Sequence, residues 1–431
     1  MPLLAGAAKV DITPLKPVPL AGMVAIRDFA GGPPDHQGYV GRTGDSHGIE
    51  YPVNARVVVF SESDTTAVLV ALDLCIVTAS FTQRVRSACQ DRWGLDPCSV
   101  IVTASHSHAG PDYLGFWEEC DPDIEGYVLE LTLSAIGQAL ACREPVRVGN
   151  GGDMLGELVI NRRDPARPVD PRISILRAES ESGRTVAIIY IYACHPIVIG
   201  SHNRRISSDF PGYASELIET TFGGGAVALF LNGAAGNINP VAFPYSERRN
   251  ISSVVGKEAE LLRTHAEAER FGRVLGGRVV SAAAKTPCRR GHDVKCLRAS
   301  VPAPLKTGAD LDKYFHHWSI RATAPERLRI ANRKAIETEV MALRIADTIL
   351  LFLPGEPFVE IAFALENVEV DQETALRVIG YANDYPGYVL RKEDYAENRY
   401  ETVATCLAEA GSEMVMTVAC KIRDRLLAEI G

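Results

Sequence analysis

An apolar run, Ser99-Val-Ile-Val-Thr-Ala104, follows a helical pattern over residues 81–93 and an earlier apolar run, Ala67-Val-Leu-Val-Ala-Leu-Asp73. Short runs of β-branched and other apolar residues are typical of buried strands, so this stretch predicts a strand, a helix and a second strand. Further strands are predicted at 55–60, 173–178, 185–193, 226–231 and 377–381 and as a pair around 346–347, and further helices at 127–141, 208–220, 258–285 and 404–430, the last interrupted near Gly411. Strands that alternate with helices predict an α/β fold of layered mixed sheets with flanking helices.

The composition excludes several classes of protein. The chain has 431 residues, with 45 Lys and Arg against 54 Asp and Glu, which gives a net charge of −9 and no basic surface of the kind that binds nucleic acid. No apolar run approaches the ~20 residues of a transmembrane helix. We find no repeat and no Pro/Gly/Ser linker, so one large domain over 1–431 is predicted, with an insertion or lid in the more charged stretch 289–329.

Cysteine usage and the start of the chain bear on its compartment. The first residues lack a basic segment, and their apolar stretch is interrupted by Gly6 and stopped by Lys9, so we expect no signal peptide and a cytoplasmic location. The ten cysteines form no C-x-x-C pair, which argues against a thiolate metal cluster. Cys75, Cys194 and Cys406 lie in apolar stretches and are expected to be buried free thiols.

One motif, Gly44-Asp-Ser-His-Gly48, matches the G-x-S-x-G pattern of serine hydrolases. A nucleophile elbow needs a buried strand before the serine and a helix after it. Neither context is present, because 38–43 and 49–52 have no such patterns. We therefore expect a loop, and a serine hydrolase that uses Ser46 is the least favoured function.

The motif Ser105-His106-Ser-His108 directly follows the strand predicted at 99–104. Residues two apart in an extended segment point to the same side, so both imidazoles can face one cleft at the strand end, where α/β proteins bind ligands. Imidazole is the usual nitrogen ligand of zinc. The alternative is a pair of polar loop histidines without a metal.

Two further residues end predicted strands in the same way. His195 follows the run 187–194, and Glu356 follows a strand and the turn Pro354-Gly355. Taken alone, His195 is better explained as a core histidine and Glu356 as the acidic start of a helix. Together with the preceding histidines they predict a His/His/Glu zinc site, since catalytic zinc commonly has three protein ligands and an open position. Asp209, which follows His195 in a polar loop, is expected to cap a helix, to orient a ligand, or both.

Other polar segments also follow strands. Small and polar residues fill 233–240, and tyrosines are concentrated in 381–400. Small residues allow close approach of a ligand to the backbone. The tyrosines are either surface aromatics or hydrogen-bond donors to a developing oxyanion.

At these residues the chain resembles the neutral/alkaline non-lysosomal ceramidase family. The resemblance covers most of the chain and rests on an ordered set of motifs. These are Asp11-Ile-Thr-Pro14, Ser105-His-Ser-His108-Ala-Gly-Pro, Asn161-Arg162, His195, Ser208-Asp209 with Gly212-Tyr-Ala214, Gly236-Asn-Ile-Asn239-Pro, Pro354-Gly-Glu356, Asn383-Asp-Tyr-Pro-Gly-Tyr388 and Arg399-Tyr400-Glu401.

The resemblance implies a zinc amidase built as one catalytic unit. It implies that His106, His195, Glu356 and Tyr388 hold Zn²⁺. It further implies that His108, Arg162 and Tyr400 are active-site groups. The chain departs from the family at Asn239, which takes the position of an active-site serine and is expected to contact substrate through hydrogen bonds. We also expect no secretion signal and no C-terminal immunoglobulin-like domain, which makes ceramide a less favoured substrate than a soluble amide.

These observations predict a zinc-dependent hydrolase that cleaves a carbon–nitrogen bond of a soluble linear or cyclic amide with a metal-activated water. Arg162, Tyr400 and Asn239 are expected to stabilise the oxyanion, and His108 to transfer a proton. The alternatives are an esterase or lactonase that uses the same site, a ceramide-like N-acyl lipid amidase, and a catalytically inactive binding protein. The sequence leaves a homo-oligomer open.

Overall fold

Strands and helices alternate along the chain as the apolar runs predict. The computed structural model describes residues 2–23, 44–115, 121, 123–241, 257–291, 293–318, 320, 324–368 and 374–428. The strands are β1 Leu4–Asp11, β2 Asn54–Glu62, β3 Thr65–Leu72, β4 Val100–Ala104, β5 Glu144–Met154, β6 Val159–Asn161, β7 Arg172–Ser180, β8 Thr185–Tyr192, β9 Val227–Asn232, β10 Ile238–Pro240, β11 Val294–Pro304, β12 Ala335–Ile345, β13 Thr348–Phe352, β14 Glu356–Pro357, β15 Ala375–Ile379 and β16 Tyr388–Val389. The α-helices are α1 Ala79–Trp93, α2 Asp123–Ala141, α3 Asp209–Phe222, α4 Lys257–Leu262, α5 His265–Lys285, α6 Ala309–His317, α7 Pro325–Ile330, α8 Val359–Glu366, α9 Lys392–Ala396, α10 Tyr400–Val403 and α11 Glu409–Leu427.

Two larger sheets organise these elements. The first has eight strands in the order β4-β3-β2-β1-β5-β7-β8-β9, and the second has four in the order β11-β12-β13-β15. Both are mixed: β3 and β4, β8 and β9, and β13 and β15 are parallel pairs, whereas the hairpins are antiparallel. Two short sheets, β6 with β10 and β14 with β16, complete the pairing.

Alternating side chains of the eight-stranded sheet serve two different cores. In β2, Val57 and Val59 pack in a core with α1 and α2, while Val58 and Phe60 pack on the opposite face. The outer face of the other half of the sheet packs against α3 and α5. This alternation is the consequence of the two-residue period of a strand.

The inner face of the eight-stranded sheet meets the four-stranded sheet. Met341 and Leu343 of β12 share the core of Val58 and Phe60, whereas the intervening Ala342 packs against α11 and α8 on the far side. The layers are therefore helices, sheet, sheet and helices in one domain. The expected α/β fold of layered mixed sheets with flanking helices is confirmed.

Two helix predictions were wrong in detail. The single helix expected over 258–285 is divided into α4 and α5, because Thr264 caps α5 by accepting a hydrogen bond from the amide of Glu267 at 3.2 Å. The interruption expected near Gly411 does not occur, since α11 runs through that residue. A Cβ at 411 would lie 2.3 Å from the Pro304 carbonyl oxygen, so this glycine allows α11 to pack closely on β11.

The structure also bears on Ser46, on three cysteines and on the stretch 289–329. Ser46 lies in a loop, where its Oγ accepts a hydrogen bond from the amide of Val18 at 3.2 Å; residues 38–43, part of its expected context, lie outside the described residues. Cys75, Cys194 and Cys406 are buried and free, as predicted. The stretch 289–329 contributes all of β11, which pairs with β12 along its whole length, and its role as an insertion or lid stays a prediction.

Among the helices of the described residues, none is both long and apolar enough to cross a bilayer.

Candidate metal centre

The first two histidines of the site follow strands that lie far apart in the order of the larger sheet: β4 is at one end, and β8 is next to β9 at the other end. His106 comes two residues after β4, and His195 comes three residues after β8. Asn232, at the end of β9, joins the two places, because its Nδ2 donates to the carbonyl oxygens of both Ser105 and Cys194 at 3.1 Å. The sheet therefore curves until the ends of β4 and β8 lie side by side.

Glu356 lies in β14, which follows β13 of the second sheet, and is fixed by its backbone. Its amide donates to the carbonyl of Gly387 at 3.0 Å, and β14 places it directly opposite Tyr388 of β16. The preceding Gly355 has φ +63°, and a Cβ there would lie 2.1 Å from the Gly387 carbonyl oxygen. Gly236 approaches from the first sheet so closely that a Cβ would lie 2.6 Å from the Glu356 carbonyl oxygen. Small residues at 233–240 thus allow the loop after β9 to pack directly on the backbone of β14.

Hydrogen bonds on the far side of each imidazole define which nitrogen faces the site. Nδ1 of His106 lies 2.7 Å from the carbonyl oxygen of Cys75, and Nδ1 of His195 lies 2.6 Å from that of Ala235. A carbonyl oxygen only accepts, so Nδ1 carries the proton in both rings and Nε2 of the neutral ring presents a lone pair. This is the arrangement in which metal-binding histidines are usually held.

The three ligand-type atoms converge on one point. Nε2 of His195 lies 3.0 Å, and Nε2 of His106 3.4 Å, from Oε2 of Glu356, and all three residues are buried. Ligands around a four-coordinate zinc ion are separated by about 3.3 Å, as bond lengths near 2.0–2.1 Å require. Within the described residues, neither Nε2 of His195 nor Oε2 of Glu356 makes a hydrogen bond. Two lone pairs and a carboxylate oxygen that face one another in this way fit a metal cation.

The ionisation of the three groups is coupled. Burial lowers the pKa of His106, but the Glu356 carboxylate and Cys75 outweigh burial and raise it to about 10. Burial lowers the pKa of His195 to about 4, and Glu356 offsets this only in part. Burial raises the pKa of Glu356, yet the two histidines hold it well below its usual range. The three groups together thus favour an ionised Glu356 carboxylate beside one positive charge on the histidines. A bound metal cation would take the place of that positive charge.

Two tyrosines that the sequence did not single out contact this cluster. The hydroxyl of Tyr385 donates a hydrogen bond to Oε1 of Glu356. The ring of Tyr381 stacks on His106, with 4.3 Å between ring centroids and 27° between ring planes. Both follow β15. The concentration of tyrosines in 381–400 was the only feature of the sequence considered above that pointed to these two residues.

Arg162, Tyr388 and Tyr400 form a group beside the cluster. The guanidinium carbon of Arg162 lies 5.2 Å from the ring centroid of Tyr388 and 5.4 Å from that of Tyr400. Glu401 accepts from Nε of Arg162 at 2.9 Å, whereas the buried Nη2 makes no hydrogen bond within the described part of the chain. Burial raises the pKa of Tyr388, and the Glu356 carboxylate raises it further, consistent with their pairing in β14 and β16. The role of Tyr388 as a fourth ligand stays a prediction.

The two remaining predicted residues lie next to the His/His/Glu cluster. Nε2 of His108 is 3.0 Å from Nε2 of His106, so His108 reaches the same point from a less buried side. Asn239 is buried in β10, one residue after Ile238, whose carbonyl oxygen accepts from Nδ1 of His195 at 3.2 Å. The structure therefore brings all eight predicted site residues into one region, and their individual roles stay predictions.

Asp209 supports the loop that follows His195. It is the first residue of α3, and its carboxylate accepts from the amides of Ile199 at 3.0 Å and Phe210 at 2.6 Å. The residue has φ +54°, which is uncommon for a non-glycine residue. Asp209 thus connects the start of α3 to the loop rather than contacting the cluster.

Comparison with known proteins relates the chain to neutral ceramidases. A neutral ceramidase of Mycobacterium tuberculosis is 24% identical over 443 aligned positions, which cover 83% of this chain and 69% of that protein. Neutral ceramidases B and A of Dictyostelium discoideum are 27% and 28% identical over 45% and 40% of this chain, and these alignments cover 31% and 28% of their lengths. No protein-family model matches the chain.

Solved structures share the fold. A ceramidase described as complexed with C2 superposes with a TM-score of 0.74 at 18% identity and covers 100% of this chain and 76% of its own. The neutral ceramidase from Pseudomonas aeruginosa gives a TM-score of 0.73 at 20% identity, with 99% and 75% covered. The similarity in fold thus extends over nearly the whole chain.

Proposed function

Since the chain is related to the neutral ceramidases over most of its length, we propose that it is a zinc-dependent hydrolase that cleaves the carbon–nitrogen bond of an N-acyl amide. The observation that carries this proposal is the convergence of His106, His195 and Glu356 on one point, with the far side of each imidazole bound to a carbonyl oxygen. No cysteine is among these three ligands, and a set of imidazoles with one carboxylate suits zinc.

Residues around the cluster would bind the substrate's oxygen and transfer protons. When bound, Zn²⁺ lowers the pKa of a bound water to about 7 and polarises a carbonyl group. Arg162 is partly exposed, but its Nη2 is buried and left open for a developing oxyanion, because Glu401 binds the guanidinium at Nε. Tyr400 lies against the same guanidinium and could donate to that oxygen. His108 is placed to carry a proton between the attacking water and the leaving nitrogen.

Two substrate classes remain within this proposal. The sequence led us to expect a soluble amide, whereas the names of the relatives point to N-acyl sphingoid lipids. Ester hydrolysis would use the same groups and is chemically easier. The contrasting alternative is a binding protein without catalytic activity. The presence of Asn239 in the position of the family's serine favours this alternative, whereas the intact His/His/Glu cluster argues against it.

The test combines metal analysis with a substrate panel. We expect purified protein to hold about one zinc ion per chain. We also expect it to release amine from at least one of two sets of substrates: N-acyl amino acids, or ceramides with short and long acyl chains. Matched esters of the same acyl groups measure the preference for amides. Chelation should abolish turnover, and added zinc should restore it.

Two substitutions make the result specific. His195→Ala removes a ligand and should lose both zinc and turnover. His265→Ala removes a histidine whose ring bonds to Asn203 outside the cluster, and should keep both. Full turnover by metal-free protein or by His195→Ala would refute the proposal. Bound zinc without turnover on any amide or ester would favour the binding protein.

A further inference from the structure

Tyr381 occupies a backbone conformation that a bulky residue adopts only when its surroundings hold it there. It follows β15 with φ +56°. Its amide donates to the carbonyl of Gly355 at 2.7 Å, and its carbonyl accepts from the amide of Ala104 at 3.0 Å. These bonds attach Tyr381 to the segments that carry Glu356 and His106, so its position is set by both halves of the metal centre.

The ring of Tyr381 packs on the histidines of the centre. Its centroid lies 4.3 Å from that of His106 in a nearly parallel stack, and 6.4 Å from that of His195 at 88°. A phenylalanine ring could make both contacts. The packing therefore accounts for an aromatic residue at this position but leaves the hydroxyl without an explanation.

The hydroxyl is buried without a hydrogen-bond partner within the described residues. Buried tyrosine hydroxyls usually find a partner, since an unpaired polar group away from water is unfavourable. Two other buried tyrosines follow this rule: Tyr385 donates to Glu356, and Tyr190 donates to the carbonyl of Pro211 at 3.0 Å. Tyr314 also lacks a partner among the described residues, but its ring packs on Phe315 in α6 and not on the histidines of the site. The missing partner of Tyr381 is best supplied by a molecule that enters the site.

We propose that Tyr381 is a further catalytic residue whose hydroxyl donates a hydrogen bond to the carbonyl oxygen of the substrate held beside His106 and Glu356. The inference rests on the proposed amide hydrolysis. The phenol keeps its proton throughout, so the step is a hydrogen bond that strengthens as negative charge develops on the oxygen. Tyr381 would thereby share the oxyanion with Arg162.

The substitution Tyr381→Phe separates this role from a structural one. It keeps the stack on His106 and removes only the hydroxyl. We expect kcat to fall about 10–100-fold, as for loss of one oxyanion donor among several. We also expect unchanged zinc content and an unfolding temperature of the zinc-free protein that is equal to or higher than that of the wild type. A lower unfolding temperature, or a kcat within twofold of the wild type, would overturn the proposal.

Tyr190→Phe provides the matched control. Tyr190 is a buried residue of β8 that contacts α3, and its hydroxyl also contacts Ser215 Oγ at 2.8 Å, so loss of this hydroxyl should lower the unfolding temperature and leave kcat unchanged. Affinity of the zinc-loaded protein for acetohydroxamate, a carbonyl-containing metal ligand, gives a readout that needs no turnover. Tyr381→Phe should weaken this binding at least about fivefold.

This second readout separates the two proposals. A wild type that binds acetohydroxamate but hydrolyses nothing would end the proposed function, and weaker binding by Tyr381→Phe would still support the tyrosine's contact. Equal binding by the two proteins, or none by either, would count against Tyr381.

Discussion

The hydroxyl of Tyr385 donates to Oε1 of Glu356, which leaves Oε2 to face the two histidines. Groups that bind the far side of a metal ligand typically contribute 10–100-fold to metal affinity. We therefore expect Tyr385→Phe to bind zinc about 10–100-fold more weakly in a competition titration with a chelating dye. Tyr395→Phe is the control, because that hydroxyl bonds to Ser412 and to backbone carbonyls instead. Equal zinc affinity of Tyr385→Phe and wild type would contradict this role.

A second single-residue effect concerns Asp209. Burial raises the pKa of this carboxyl to about 6, although the amides of Ile199 and Phe210 and the charge of Arg263 oppose the rise. The unfolded chain has the ordinary value near 3.9, so the native state binds more protons between these limits. The contribution of Asp209 to stability therefore increases as the pH falls from about 7 to 4, by up to about 3 kcal/mol.

Asp209→Asn removes this titration while keeping a residue that tolerates positive φ. The stability of the wild type relative to the variant should thus increase from pH 7 to pH 4, as measured by urea unfolding at each pH. A difference that stays constant, or that decreases over this range, would show that Asp209 is not buried with a raised pKa.

At the scale of elements, the place of Glu356 depends on the contact between the loop 233–237 and β14. The amide of Gly236 donates to the Pro357 carbonyl at 2.9 Å, and a Cβ at 236 would lie 2.6 Å from the Glu356 carbonyl oxygen. Both nearest atoms belong to the backbone and cannot turn aside as a flexible side chain could. Gly236→Ala must therefore displace β14 and with it the carboxylate.

We expect Gly236→Ala to lower the unfolding temperature and to reduce both zinc content and turnover. Gly277→Ala is the matched control, because that exposed glycine lies within α5 and a Cβ there would meet nothing within 4 Å. It should leave activity unchanged and stabilise the protein by about 0.5–1 kcal/mol. Normal zinc content in Gly236→Ala would refute the dependence of Glu356 on this contact.

The ends of strands could be predicted from the sequence, but their meeting could not. His106, His195 and Glu356 were found because each directly follows an apolar run, and a strand end is where α/β folds bind ligands. The family resemblance was needed for four residues that lie in or directly after elements too short to show a period, namely Arg162, Asn239, Tyr388 and Tyr400. Tyr381 was not predicted, because its importance depends on the stacking of its ring on His106, which lies 275 positions earlier in the chain.

Over the whole molecule, the His/His/Glu cluster forms because two sheets pack face to face and the larger one curves. The apolar runs predicted layered sheets, but the order of strands depends on tertiary pairing that no local pattern encodes. β4 and β9 lie at opposite ends of that order, and Asn232 joins their ends. Glu356 then comes from β14, which directly follows β13 of the second sheet. Stability of the interface between layers is thus a condition for the site.

A buried ion pair joins those layers and offers the last prediction. Arg86 of α1 donates to both oxygens of Glu339 in β12, at 3.0 and 2.6 Å, and their side chains are only 2% and 8% exposed. Removing one partner of such a pair leaves a buried charge uncompensated and typically costs 3–5 kcal/mol. We expect Glu339→Gln to lower the free energy of unfolding by about 3 kcal/mol in one cooperative transition, because the layers share a core.

The pH dependence and a surface pair test the cause of that loss. Burial raises the pKa of Glu339, but the hydrogen bonds and charges of Arg86 and, after it, Arg298 outweigh burial and lower the pKa below that of a free carboxyl. The stabilisation is therefore present above about pH 4.3 and is lost as the pH falls through the native pKa, so the free energies of unfolding of wild type and variant should converge in acid.

Glu130→Gln is the control, because it breaks an exposed pair: the side chains of Glu130 and Arg92 are 60% and 45% exposed. It should lower the free energy of unfolding by less than about 0.5 kcal/mol. Equal losses for the two variants in urea unfolding at pH 7 would show that burial of the Arg86–Glu339 pair does not hold the layers together.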